Sequence, residues 1–389
     1  MELFILCVLF VSVKAGWLEE PVAPLVMKHG YPFEEHEIET EDGYILTLHR
    51  IPHGKNNSGH VGRPVLLQHG ILCSSACWLV SEPDKGLGFI LADSGYDVWI
   101  PNSRGNTYSR KHRSLNPDKE PDATKFWDFS FHEMGYYDLP ACIDHILGLT
   151  RHKKLHYVGH SQGTAIFFVL ASTRPEYNEK IRHMSALAPV AFLDHTRGTV
   201  RALTYLVTEL EIIAKVLHLH EFLADHWYIH MLERIVCRGH TFTEKICDNV
   251  LFIIAGYDSQ QLNITLVPII LDYTPAGTSI KQLEHFAQIA RRGDKFQQFD
   301  YGYVGNLERY HQRNPPEYDL SKITTPIMLH YASNDWLAGV KDVLKLKSKL
   351  LDSDSRLVPF HYFNHLDFMW ATDVKKLLYD DMIKIMAKY

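Results

Sequence analysis

Gly159-His160-Ser161-Gln162-Gly163 sets a serine between glycines placed two residues to either side. A serine hydroxyl attacks carbonyls well only when a base takes its proton. The small flanking residues suit a sharp strand-to-helix turn that pushes the hydroxyl out of the backbone. The bare pattern recurs by chance in roughly one chain in ten of this length, because glycine and serine are common. Its surroundings are more selective. The apolar stretch 155–158 (LHYV) runs straight into it, and the Ala- and Phe-rich stretch 162–172 leaves it. Strand, nucleophile and helix in that order point to acyl transfer through a covalent acyl-serine.

Such a serine needs a histidine as base and an acid to hold the imidazole tautomer. With the serine first, the acid and then the histidine should follow at later strand ends. Asp335, in Ser333-Asn334-Asp335, comes straight after the apolar run 327–331. His365 comes straight after the run 357–363. Asp342 and Asp354 lie off the strand-end position, and Asp367 stands two residues past His365. The tetrahedral intermediate also needs two N–H donors for its oxyanion. Gln162, after the serine, is one candidate. Ile71, in Gln68-His69-Gly70-Ile71 after the run 64–67, is the other, with Gly70 allowing close backbone approach.

These residues need a scaffold that brings strand ends together. Residues 36–50 alternate around Asp42-Gly43, which predicts a β-hairpin. Short apolar runs at 64–67, 96–100, 155–158, 184–190, 327–331 and 357–363 predict buried strands. Ile143, Ile146 and Leu147 follow helical spacing, the stretch 162–172 is apolar nearly all round, and 374–388 predicts a closing helix. This alternation implies a mostly parallel sheet wrapped by helices. Residues 194–323 break the rhythm. Leu206, Leu210, Ile213 and Leu217 mark an amphipathic helix, and Phe222, Trp227, Tyr228 and Met231 continue an aromatic segment. The stretch reads as a largely helical insertion over the sheet's C-terminal edge.

The chain has 389 residues with a net charge of −6, and it carries no basic run of the kind that grips nucleic acid. Its 24 histidines would carry the charge to +18 if all were protonated and the carboxylates stayed ionised. The apolar run 3–13 is too short to span a bilayer and, with Val13-Lys14-Ala15 after it, reads as a signal peptide ending at residue 15. No later segment is long and apolar enough to cross a membrane. Export permits disulfides, and Cys237 and Cys247 lie close enough for a local clip. Cys73, Cys77 and Cys142 complete the cysteines after residue 15. Asn56 and Asn263 head possible glycosylation sequons.

With these motifs placed, the sequence resembles the acid lipase family of gastric and lysosomal acid lipases, and looks nearest to insect members. The resemblance runs from about Pro32 to Met386 and rests on long strings. They include TEDGYILTLHRIP (40–52), ADSGYDVWIPNSRGNTYSRKH (92–112), LHYVGHSQGT (155–164), PAGTSIKQLEHFAQ (275–288) and FNHLDFMW (363–370). It implies an α/β-hydrolase fold, with core segments 16–193 and 324–389 around a cap and mobile lid at 194–323. It also implies Ser161, Asp335 and His365 as catalytic triad, Ile71 and Gln162 as oxyanion donors, and a cap disulfide matching Cys237 and Cys247. The family's turn before the acid is often glycine-rich, whereas this chain reads Ala332-Ser333-Asn334. The resemblance implies no family disulfide at Cys73 and Cys77, and the sequence leaves the state of these two cysteines and of Cys142 open. The implied activity is hydrolysis of neutral lipid esters at a lipid–water interface by a secreted or lysosomal monomer, with no metal or organic cofactor. An esterase or acyltransferase on other apolar esters, or a non-catalytic lipid carrier, are the alternatives.

Overall fold

The computed structural model describes residues 21–56, 62–198, 200–202, 204–205, 219–223, 256, 258 and 260–389. The segment read as a signal peptide, Cys237 and Cys247, and the amphipathic stretch 206–217 lie outside the described residues.

Alternation around Asp42-Gly43 does produce a hairpin. β1 (Glu34–Glu39) pairs antiparallel with β2 (Tyr44–Ile51), with Glu39 opposite Ile45. Gly43 takes φ +95°, and a Cβ there would fall 2.9 Å from the His112 ring. β3 (Arg63–Gln68), β4 (Tyr96–Pro101), β6 (Leu155–His160) and β7 (Ile181–Leu187) follow, with the short β5 (Lys111–His112) pairing to β2. β10 (Ile327–Tyr331) and β11 (Ser353–Leu357) complete the sheet in the order β1-β2-β4-β3-β6-β7-β10-β11. From β4 onward every neighbouring pair is parallel. The chain therefore returns by crossover helices, and the C-terminal ends of β3, β6 and β10 share one edge.

The central strands are mostly apolar because helices cover both faces, with Asp97, His156, His183 and His330 as buried polar exceptions. Helix Gln162–Thr173 is the extreme case, with residues 162–172 all buried. Its Phe167 and Phe168 have no exposure, and burying such side chains contributes about 1.5–3 kcal/mol each. Helix Leu139–Thr150 buries Ile143 and Ile146 on its inward stripe. Arg104, just beyond β4, is only 1% exposed. Its guanidinium donates to Asp42 at 2.6 and 2.9 Å and to Asp138 at 2.6 and 2.8 Å. It thereby ties the hairpin turn to the start of that helix.

Two strand expectations shift. The run 184–190 sits lower: β7 begins at Ile181 and ends at Leu187. Of the run 357–363 only Leu357 is in a strand. The last strand is Ser353–Leu357 (SDSRL), an edge strand with largely exposed side chains and a single partner, β10. An edge strand of polar residues leaves no apolar pattern to read. Val358 and Phe363 are apolar because the loop that follows plugs into the core.

Within 194–323, the described residues form helices Val267–Tyr273, Ile280–Arg292 and Gly302–Tyr310. They also form an antiparallel pair of two-residue strands, β8 (Glu221–Phe222) and β9 (Thr278–Ser279), so Phe222 is extended. Helix Ile280–Arg292 docks on the rest of the chain through polar contacts. Ser279 Oγ donates to Phe129 O at 2.6 Å, His285 Nδ1 lies 2.9 Å from Ser130 Oγ, and the Gln282 amide donates to Gln162 Oε1. Among the described residues no helix is long and apolar enough to cross a membrane.

Candidate active site

Ser161 follows β6 directly and caps helix Gln162–Thr173 with φ +53° and ψ −119°. A non-glycine residue at positive φ is strained, and it persists only where its surroundings fix it. Here the Ser161 N–H donates to Leu187 O at 3.0 Å, and its carbonyl accepts from Thr164 Oγ1 at 2.7 Å. The two glycines of the motif are sterically required. A Cβ on Gly159 would sit 2.7 Å from Gly163 O, and one on Gly163 only 2.4 Å from Gln68 O. Both obstacles are backbone. Gly163→Ala should therefore destabilise the protein by about 1–3 kcal/mol through overpacking, read as a lowered urea midpoint at unchanged slope.

The loop after β3 meets this turn. A Cβ on Gly70 would lie 3.2 Å from Ser161 Cβ, so the backbone passes directly over the serine. His69 anchors the loop: its Nε2 accepts the Ser103 N–H at 3.1 Å and its Nδ1 donates to Gly70 O at 2.7 Å. Burial pushes its pKa down to about 4, so it is a neutral spacer. Ile71 follows, half-buried. Among the described residues, no protein acceptor takes the N–H of Ile71 or of Gln162. The second of these is at a helix start, where the first N–H groups have no intrahelical partner.

Cys73 and Cys77 close the next turn. They are joined by a disulfide with Cα atoms 6.1 Å apart, a pairing that the sequence left open. The short turn Ser75–Trp78 folds the chain back on itself and brings the two sulfurs together, which their spacing alone does not show. Cys142 is free and buried.

Asp335 and His365, 30 residues apart, meet beyond β10. His365 Nδ1 lies 2.8 Å from Asp335 Oδ2, and both residues are buried. The other carboxylate oxygen, Oδ1, accepts the N–H groups of Leu337 and Ala338, each at 2.8 Å. With the carboxylate so held, Nδ1 carries the imidazole proton and Nε2 is left as an acceptor. His160, the residue before Ser161, donates from Nε2 to His365 O at 2.9 Å, and the two rings lie 4.9 Å apart. The competing acids are engaged elsewhere. Asp342 holds His195 through its ring at 2.8 Å, Asp354 accepts from Lys347 at 3.1 Å, and Asp367 accepts the Asn364 N–H at 2.7 Å. Burial, with Asp258 and Asp335 nearby, drives the Asp367 pKa upward.

Sequence reasoning missed a second hydroxyl–imidazole–carboxylate array. His49 Nδ1 lies 2.6 Å from Ser75 Oγ and Nε2 lies 3.3 Å from Glu35. Ser75 has no solvent exposure, so no substrate carbonyl reaches it; the array pins β2 to the Ser75–Trp78 turn. No sequence pattern marks it, because its members sit on separate elements.

Comparison with known proteins gives the family and the fold. Residues 22–82 match a partial α/β-hydrolase lipase region, and residues 63–223 match the α/β-hydrolase fold. Over 375 residues the chain is 43% identical to gastric triacylglycerol lipase of Rattus norvegicus, covering 94% of this chain and 91% of that one. The chain belongs to the acid lipase family. The family spans vertebrates and insects: Lipase 3 of Drosophila melanogaster is 40% identical over 371 residues, covering 92% of this chain and 91% of that one. A solved structure from Sulfolobus solfataricus, proposed to be a lipase, is 13% identical. Its TM-score is 0.62 over 92% of this chain and 94% of that one. At that identity the likeness shows the fold alone. The family accounts for the enzyme class, a carboxylic ester hydrolase on an α/β-hydrolase fold.

Proposed function

We propose that this acid lipase hydrolyses triacylglycerol and related neutral lipid esters through Ser161, His365 and Asp335. The observation that carries the reading is the strained Ser161 turn beneath the Gly70 loop, with His160 tied to the loop that presents His365 against Asp335. Ser161 attacks the ester carbonyl while His365 Nε2 takes its proton, and Asp335 stabilises the imidazolium. The oxyanion forms against the N–H groups of Ile71 and Gln162, where each donor contributes about 3–4 kcal/mol. His365 then protonates the leaving alcohol, and water releases the fatty acid from the acyl-serine.

Residues 194–323 serve as cap and lid in this reading, with helix Ile280–Arg292 as their fixed base. The gastric relatives are triacylglycerol lipases by name, which supports a glyceride substrate. Removal of residues 1–15 would deliver a secreted or lysosomal monomer. Asn56 is exposed and so is open to glycosylation; Asn263, half-buried, is the second sequon. A Cys237–Cys247 clip would close the lid base. The alternative reading is an esterase on soluble substrates.

Turnover of a short-chain ester measured through its solubility limit, beside emulsified triacylglycerol, separates the two. Lipase action predicts a jump in rate as the emulsion forms. A saturating curve that ignores the limit, with no activity on the emulsion, rejects lipase in favour of esterase.

A further inference from the structure

No strand leads into the histidine loop. β11 ends at Leu357, and the next eight residues to His365 run as loop and turn. Hydrogen bonds to the loop's own carbonyls place it instead. Ser333 Oγ donates to His361 O at 2.8 Å, and Asn334 Nδ2 donates to Tyr362 O at 2.8 Å. His160 Nε2 donates to His365 O at 2.9 Å. On the far side, Asn364 Nδ2 donates to Gly256 O at 2.9 Å, and Gly256 lies so close to Asn334 O that a Cβ there would be 2.3 Å away.

Ser333 and Asn334 each bring a side-chain donor to the turn before the acid. Glycine has no side chain and could supply neither donor. The two residues immediately precede Asp335, whose own carboxylate is fixed by Leu337 and Ala338. The acid loop thus grips the base loop twice, a few residues from the Asp335–His365 hydrogen bond.

We propose that Ser333 and Asn334 are positioning residues that clamp the His365 loop to the Asp335 loop through the carbonyls of His361 and Tyr362. The proposal rests on the triad reading above. Its energetic logic is that of orientation: an imidazole displaced by about 1 Å forfeits much of its rate advantage, about 100-fold in comparable cases. A single hydrogen bond of ordinary strength shifts a positional equilibrium about fivefold. Both clamps are open to water on one side, so each alone is worth less than the two together.

The test uses the full-length enzyme carrying Ser333→Ala, Asn334→Ala, both together, and Ser333→Thr. Measurements are kcat and KM on a soluble short-chain ester, the rate of Ser161 labelling by an active-serine phosphonate, and Tm. The expected result is a kcat lowered about three- to fivefold by each alanine and at least tenfold by the pair, with KM unchanged. Labelling should slow by the same factor, because it draws on the same base. Ser333→Thr keeps a hydroxyl and should restore both rates. A lowered Tm with wild-type kcat and labelling would show a merely structural role and overturn the proposal. If the double variant does not fold, the two single variants carry the comparison. A Ser161→Ala control separates the two claims. Turnover that survives it removes the triad reading; turnover that it abolishes, beside undiminished kcat in the clamp variants, removes the clamp alone.

Discussion

Replacing Ser161 with alanine should lower ester turnover by about 10⁶-fold while leaving the fold intact. The hydroxyl is the only atom lost, and Ser161 owes its place to main-chain bonds that alanine keeps. Its N–H still donates to Leu187 O and its carbonyl still accepts from Thr164. What disappears is the covalent route. His365 and Asp335 remain paired but have no alcohol to deprotonate, and the oxyanion donors stabilise only direct attack by water. Circular dichroism and the urea midpoint should match wild type, and phosphonate labelling should vanish. Substantial hydrolysis by the purified, folded variant would show that another nucleophile does the work. Ser75 cannot be that nucleophile, since it is sealed from solvent.

The second large effect is on stability in acid. Among the described histidines, eight are buried: 49, 69, 156, 160, 183, 285, 330 and 365. Burial pushes His49, His69 and His183 down to about 4, and His156, His285 and His330 down to about 3. Above pH 6.5 these groups are neutral whether folded or not, and they leave stability unchanged. Below 6.5 the unfolded chain takes up protons that the folded chain refuses, so stability falls as pH drops toward 4. Each such group costs about 1.4 kcal/mol per pH unit over that window. Asp138, raised to about 6 by burial, and Asp367, also raised, act the other way, because the folded state holds their protons more tightly. The histidines outnumber them, so the net loss should reach several kcal/mol per pH unit, against a typical total of about 5–15 kcal/mol. Urea midpoints at pH 7.5, 6.5, 5.5 and 4.5 would show it as a fall confined to the values below 6.5. Among the described residues, His330 Nε2 has no hydrogen-bond partner in the core. His330→Leu should therefore flatten the slope by about 1.4 kcal/mol per pH unit. A stability constant down to pH 4 would mean that these rings accept protons in place. The same burial limits the charge swing inferred from 24 histidines, because the folded protein does not offer them all to solvent.

Legibility differed between parts of the molecule for reasons of physics. The turn at Gly159–Gly163 was readable because sterics at 2.4 and 2.7 Å from backbone atoms admit little but glycine. The buried strands β3, β4, β6 and β10 were readable because two covered faces demand apolar residues in sequence. β11 was not, because one free edge and exposed side chains make no such demand. The Cys73–Cys77 bond was not, because disulfide formation depends on how the chain between the sulfurs turns.

Local chemistry, then, was written in the order of residues: a serine between glycines, an acid just past a buried strand, a histidine later in the chain, and an apolar helix behind the serine. That information is short-range, and each piece constrains only its own neighbours. Which carboxylate faces which imidazole is a different matter. Asp335 reaches His365, Asp342 reaches His195 and Glu35 reaches His49, and only the packing of separate elements sorts these pairs. Contacts across tens of residues depend on where the sheet sets each loop, and that placement is a property of the whole fold rather than of any stretch within it.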